Sequence, residues 1–272
     1  MSDQLPFRLR VRYVKQGRLR YLGHPEVLRT IERSVRRAGL PYAVTQGLSP
    51  HMRIAFCSAL PVGASSRCEL YDLWLSERVR TDRALDALRH ATPEGLAPVR
   101  AGYIDVRAAA LTVSLTRIGY SVEVRPREGF SVDLAAWNRA LTEIASAGQI
   151  CYLRGAKRKR LDLDRTLACW RVSASETEGA VRIELETRAG SAGSLRPDIV
   201  LAAIDQSIGR AQGLDEPVDH LTAGPRAHMI IESCEIERTL QTGEDEHGIL
   251  VPALPDPQSA GTRANGSLTA SE

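Results

Sequence analysis

Phe7, Leu9, Val11 and Tyr13 alternate with Arg8, Arg10 and Arg12 near the start of the 272-residue chain. Successive side chains of a strand point to opposite faces, so the run reads as a strand with one apolar face and one face of three guanidiniums. Gly17 then marks a turn, and Gly23-His24-Pro25-Glu26 opens a helix, because Pro suits the first turn and an acid suits the positive helix end. That helix carries an apolar stripe of Val27 or Leu28, Ile31, Val35 and Ala38 and repeats Arg29, Arg33 and Arg36 on another face; it is expected to end at Gly39, before Pro41. Strands over 52–56 and 68–75, a helix over 81–90 and a strand over 99–106 complete the order βαββαβ, the split unit of ferredoxin-like folds.

The same order returns with little identity. A long or broken strand is expected over 111–125, a helix around Trp137 over 132–145 and a strand over 150–153. Lys157-Arg158-Lys159-Arg160 then reads as a basic hairpin turn, followed by strands over 169–173 and 181–186, a helix from 197 to about 209 and a last strand over 227–237. The expected fold is α+β: two tandem ferredoxin-like domains, 1–108 and 109–238, and a disordered tail over 239–272. From Gln241 the chain turns to Gly, Pro, Ser, Thr and acids, too poor in apolar surface to offset the entropy of ordering, with one docking patch at Ile249-Leu250-Val251.

The net charge of +3 conceals a segregation. Residues 1–60 hold eleven Lys and Arg against three acids, a charge of +8, which leaves 25 basic and 30 acidic residues, or −5, for the remainder. A basic block on a weakly acidic body points to a polyanion or an acidic protein surface as partner. The five cysteines (Cys57, Cys68, Cys151, Cys169, Cys234) stand singly, with no Cys-x-x-Cys pair; this suits reduced thiols packed as small hydrophobes and gives no reason to expect a metal or other cofactor. No apolar run approaches the roughly 18 residues of a membrane span, and MSDQLPFRLR has no apolar signal core, so a cytoplasmic protein without a membrane partner is expected.

The ordered segments Gly17-Arg-Leu-Arg-Tyr-Leu-Gly-His24, Arg36-Arg-Ala-Gly-Leu-Pro41, Gln46-Gly-Leu-Ser-Pro-His-Met-Arg53 and Leu60-Pro-Val-Gly63 resemble the radical-SAM-linked protein family, a bacterial domain of unknown function. The resemblance continues more loosely through Lys159-Arg-Leu-Asp-Leu163 and Leu195-Arg-Pro-Asp-Ile-Val200 and covers about residues 7–235, without the tail. It implies a separately encoded radical-SAM enzyme as partner and a place in RNA metabolism. The chain lacks the Cys-x3-Cys-x2-Cys set that holds the cluster of such an enzyme, so the implied role is that of an accessory. Gly23 departs from the family, where many relatives carry Ser before the histidine.

Three groups of residues are candidates for binding. Arg8, Arg10 and Arg12 on an open sheet face, with Arg18, Arg20 and Arg53, are expected to hold phosphate, which needs several spaced cations and no particular chemistry. Pairing of Arg10 or Arg12 with Glu69 or Asp72 on a neighbouring strand is the internal alternative. Lys157, Arg158, Lys159 and Arg160 form the second group. The loop residues Gln46, Gly47, Ser49 and His51, beside Pro50, form the third, a tight polar turn suited to a phosphate, a nucleotide or a peptide carbonyl. A joint metal or acid-base site of His24 and His51 is disfavoured, since a helix of about 22 Å separates the loops that carry them.

The leading expectation is therefore a non-catalytic accessory that binds RNA, or presents a substrate, for a radical-SAM enzyme in RNA modification or processing. A metal-independent endoribonuclease using His51 or His24 as general acid or base is one alternative, and a protein–protein adaptor without nucleic acid is another. The oligomeric state is not legible in the sequence.

Overall fold

The structure is a computed structural model, and it describes residues 6–130, 132–214, 221–222 and 229–254. The first half runs β1 (Phe7–Lys15), a 3-10 turn (Gly17–Tyr21), α1 (His24–Arg37), β2 (Ile54–Phe56), β3 (Ser65–Leu75), α2 (Thr81–Ala91) and β4 (Pro98–Ile104). After α3 (Leu111–Ser114), the second half runs β5 (Arg117–Pro126), α4 (Leu134–Ser146), β6 (Gln149–Arg154), β7 (Lys157–Asp162), α5 (Leu163–Thr166), β8 (Leu167–Ala174), β9 (Val181–Gly190), β10 (Gly193–Ser194), α6 (Pro197–Ala211), β11 (Leu221–Thr222), β12 (Ile231–Glu244) and β13 (Leu250–Pro252). It is a mixed α+β fold with one large mixed sheet and six α-helices among the described residues. None of the described helices is long and apolar enough to cross a membrane.

Strands β4, β1, β3 and β2 lie side by side in that order, each pair antiparallel, and β12, β5, β9 and β8 do the same in the second half. The halves are joined by a short parallel pairing of β12 with β3, Glu237 opposite Ser65 and Arg238 opposite Ser66, which makes one ten-stranded sheet. A second sheet, β11-β6-β7, is separate from it; β6 and β7 form a hairpin between α4 and α5 in the chain, and β11, after α6, pairs parallel with β6.

Two apolar cores lie under the helices. Leu9, Val11 and Tyr13 pack with Val27, Ile31 and Val35 of α1 and with Ala84 and Leu88 of α2. Val122 and Val124 pack with Trp137 and Leu141 of α4 and with Val200 and Ile204 of α6. The start of α1 follows the expected pattern: Pro25 stands in the first turn, and the Gly23 N–H donates to the Glu26 carboxylate at 2.7 Å.

Several expectations change. The strand expected over 111–125 begins only at Arg117, after helix α3, and the strand expected over 150–153, β6, belongs to the second sheet. The arginine face of β1 is not open, because the connector carrying α3 and the segment ending at Leu254 cover it; Leu111, Leu115 and Leu254 pack there with Leu70 and Cys57. The chain beyond 238 is not a tail from that point: β12 continues to Glu244, turns, and pairs with β13, and Leu254 is buried against Gly102. The apolar residues of this segment are few, but they close an exposed sheet face, and that burial offsets the entropy of ordering a short hairpin. Finally, Lys157–Arg160 are a strand and not a turn; the turn is Gly155-Ala156, with Gly155 at φ +61°, in the left-handed region that favours glycine. The remainder of the expected tail, 255–272, lies outside the described residues.

Candidate polyanion-binding surface

Arg8 and Arg10 face away from the helices, as their alternation requires, but they are 4% and 5% exposed and share the fully buried Asp72. Asp72 accepts from Arg8 Nε at 3.0 Å and Nη2 at 2.6 Å, and from Arg10 Nε at 2.7 Å and Nη2 at 3.0 Å. Their remaining donors go to backbone carbonyls of the covering segments: Arg8 to Ala108 and, at 3.1 Å, Ala109, and Arg10 to Ala253 at 2.9 Å. One carboxylate cannot neutralise two guanidiniums, and the carbonyl dipoles supply the rest. These two arginines hold the chain to itself and are withdrawn from the candidate surface.

Their neighbours follow different routes. Arg12 is half-buried and donates to the Arg67 carbonyl at 3.1 Å. Lys15 is buried and donates to the Arg20 carbonyl at 2.8 Å. Arg20 itself pairs at 3.3 Å with Glu235 across the seam between the halves and lies over the Tyr21 ring. Arg18 is exposed and makes no ion pair among the described residues.

A second buried charge pair, which the sequence did not reveal, lies at the seam. Arg238 of β12 donates to Glu69 of β3 at 3.1 Å and to the carbonyls of Ser58 and Ala59, and the Gln241 amide nitrogen donates to the Cys68 carbonyl and to Glu69. Burial works to lower the Arg238 pKa, but Glu69 and Tyr120 outweigh it and raise it further above the ordinary value. Burial pushes the Cys68 thiol up to about 11 and the Cys57 thiol well beyond its ordinary range, with Glu69 adding to both. No pattern within β3 or β12 singles out Glu69 and Arg238, since both strands carry further charged residues, Arg67 and Asp72 in β3 and Glu232, Glu235, Glu237 and Glu244 in β12.

The loop over 45–51 does face solvent. The Thr45 N–H donates to the His51 carbonyl at 2.8 Å and the His51 N–H to Thr45 Oγ1 at 3.0 Å, so the segment is a small hairpin with Gln46 to Pro50 at its tip. Gly47 takes φ +136° there, Leu48 is fully exposed, and Ser49 Oγ lies 3.4 Å from His51 Nε2. Thr45, Gln46, Arg53, Ser76 and Glu77 line an open cleft of about 730 Å3, with the Arg53 guanidinium 4.8 Å from the centre of the Trp74 ring. His24 is elsewhere, at the head of α1, edge-on to Phe56 at 6.1 Å. No hydrogen bond or ring contact joins His24 to His51 among the described residues.

Besides single exposed arginines such as Arg18, two clusters of cations carry little or no carboxylate pairing among the described residues. Arg29, Arg33 and Arg37 are exposed on the outer face of α1 and make no ion pair among the described residues, while their neighbour Arg36 reaches Glu32 only at 3.7 Å. On the β6–β7 hairpin, Arg154, Lys157, Arg158, Lys159 and Arg160 are all exposed, and none of the five side chains has a hydrogen bond or a carboxylate within 4 Å among the described residues. Arg154 was missed as a candidate because the expected turn lay three residues too late.

Residues 8–197 match a family model described as an uncharacterized protein conserved in bacteria (DUF2344). No curated protein matches the chain. Among solved structures, a chain of the crystal structure of a Cbf5-Nop10-Gar1 complex aligns with a TM-score of 0.45 and 14% identity, over 89% of this chain and 51% of that one. The chain thus spans about half the length of that relative, and a likeness at this level carries no weight on function.

Proposed function

We propose, for a chain that belongs to this family of uncharacterized proteins conserved in bacteria, that it is an accessory that binds RNA through its exposed cations. On this reading it presents the RNA to a separately encoded radical-SAM enzyme, as the resemblance of the segments from Gly17 to Gly63 suggests. The two halves are read as ferredoxin-like units; what supports this is the order β4-β1-β3-β2 in the first half and β12-β5-β9-β8 in the second, where the β6–β7 hairpin and the short β10, β11 and β13 are additions to the four-stranded pattern.

The observation that carries the RNA reading is the set of uncompensated charges on α1 and on the β6–β7 hairpin. Where this chain needs an arginine for its own stability it supplies an acid, Asp72 for Arg8 and Arg10, and Glu69 for Arg238. It supplies none, among the described residues, for Arg29, Arg33, Arg37 or the five hairpin cations. Phosphate contacts by such groups release counterions and give a log affinity that falls with log salt by about 0.7 per neutralised phosphate on a single strand and about 0.9 on a duplex. On this reading the loop over 45–51 orients a nucleotide, Gln46 from the cleft that it lines with Thr45 and Arg53, and His51 from the base of the same hairpin. The test is fluorescence anisotropy of labelled RNA with the full chain from low to moderate salt. A steep fall in affinity is expected; affinity that is flat in salt contradicts the reading.

A further inference from the structure

The geometry points to a more specific ligand for the hairpin: we infer that the β6–β7 ribbon enters the groove of a double-stranded RNA stem and holds the phosphates of both strands. This rests on the RNA reading above. The register places Tyr152 opposite Lys159 and Arg154 opposite Lys157, and Cys151 opposite Arg160 and Leu153 opposite Arg158. Directly paired residues share a face, so Arg154, Lys157 and Lys159 stand on one face and Arg158 and Arg160 on the other. All five are exposed, so both faces of the ribbon end in solvent.

A strand of RNA drawn across one side of this ribbon meets at most three of the five cations. A groove has phosphates on both walls and meets all of them. The A-form major groove is deep and narrow, whereas the minor groove is wide and shallow, lies between two phosphate walls and is held largely by shape and by phosphate and 2′-hydroxyl contacts. A ribbon whose outer half has Lys and Arg as its only charged side chains, no Asn or Gln, and Tyr152 as its one aromatic residue suits such a groove and is expected to read no sequence.

The arrangement works against the fold. Arg154 and Lys157 are like charges directly opposite each other, a destabilising cross-strand pair. Charge on β7, an edge strand of its sheet, also guards against pairing with another chain. That protection is served equally by negative charge, and this separates it from phosphate binding.

The experiment uses the full chain with two labelled RNAs of equal length, a stem-loop with a stem of roughly 16 base pairs and an unpaired oligonucleotide. Two variants reverse one face each: Lys157→Glu with Lys159→Glu, and Arg158→Glu with Arg160→Glu. Both keep a charged edge, and a cooperative thermal melt no lower than that of the unaltered chain confirms the fold. The expected result is at least tenfold tighter binding of the stem-loop, with each variant losing affinity for it and lowering its salt slope by about 1–2. Equal binding of the unpaired RNA, or loss confined to one face, overturns the inference. Stem binding that ignores both variants overturns it too while leaving RNA binding through α1 intact; no binding of either RNA by the unaltered chain overturns the RNA reading itself.

Discussion

Replacing Asp72 by Ala removes the one carboxylate that Arg8 and Arg10 share and leaves both guanidiniums buried at about one-twentieth exposure. Breaking a buried ion pair from one side costs about 3–5 kcal/mol, because the stranded charge keeps its desolvation penalty. Two considerations fix the place in that range. Four N–H contacts to Asp72 are lost at once, which argues for the upper end, while the carbonyls of Ala108, Ala109 and Ala253 remain as acceptors, which argues against exceeding it. The expected loss is about 4 kcal/mol, a large part of a stability of about 5–15 kcal/mol. Urea denaturation at pH 7 measures it directly, and a melt is expected to fall by about 8–16 °C at about 2–4 °C per kcal/mol. The triple variant Asp72→Leu, Arg8→Met, Arg10→Met removes the charges together and is expected to recover most of the loss. A loss below about 1 kcal/mol for Asp72→Ala would refute the reasoning, since it is the outcome for arginines that face water, where ion pairs contribute about 0–1 kcal/mol.

Four further outcomes follow from the same contacts. Lys157→Glu, which turns the like pair with Arg154 into an attractive one, is expected to raise stability by about 0.2–1 kcal/mol while weakening RNA binding; denaturation and anisotropy on the same sample check the opposite signs. Leu254→Ala, at a side chain 5% exposed against Gly102, is expected to cost about 2–3 kcal/mol in urea denaturation, where a solvated tail residue would cost nothing measurable. Glu123 is held below the usual carboxylate range by hydrogen bonds from Ser175 and Thr177 and by Arg182, and Glu244 by Arg188 and Arg117. A depressed folded-state pKa gives stability that is present above the unfolded value near 4.3 and is lost as pH falls through the folded value, so Glu123→Gln should destabilise at pH 7 and flatten the decline below about pH 4. At neutral pH a thiol reagent should label the exposed Cys151 and Cys169 at once and leave Cys57 and Cys68 unlabelled until the chain unfolds, as mass spectrometry of the labelled peptides will show.

Much of the fold was legible because periodicity is a local signal. The alternation of Phe7 to Tyr13, the stripe of Val27, Ile31 and Val35, and the capped start at Gly23 each name an element from its own residues, and β1, α1, α2, β4, α4 and α6 lie within a few residues of where they are expected. What was not legible is what covers an element. Whether Arg8 and Arg10 meet water or Asp72 depends on where residues 108–115 and 250–254 fold, and no pattern within β1 carries that information. The run Lys157–Arg160 misled for a related reason: four cations resemble a solvated turn, yet the chain reverses at Gly155, whose left-handed conformation was the better turn signal. At the candidate surface, residue type was readable and exposure was not, so the sequence points to Lys157–Arg160, which are exposed, and equally to Arg8 and Arg10, which are buried, and gives no sign of Arg154.

The most direct test maps where RNA touches the chain. Photo-crosslinking of a stem-loop RNA to the full protein, followed by mass spectrometry of the crosslinked peptides, should place contacts within residues 29–37 of α1 and 154–160 of the hairpin, the segments that carry Arg29, Arg33, Arg37 and the five hairpin cations without an acid partner among the described residues. Crosslinks concentrated in β1, around Arg8 and Arg10, would contradict the assignment of those arginines to the interior and of the binding surface to α1 and the ribbon.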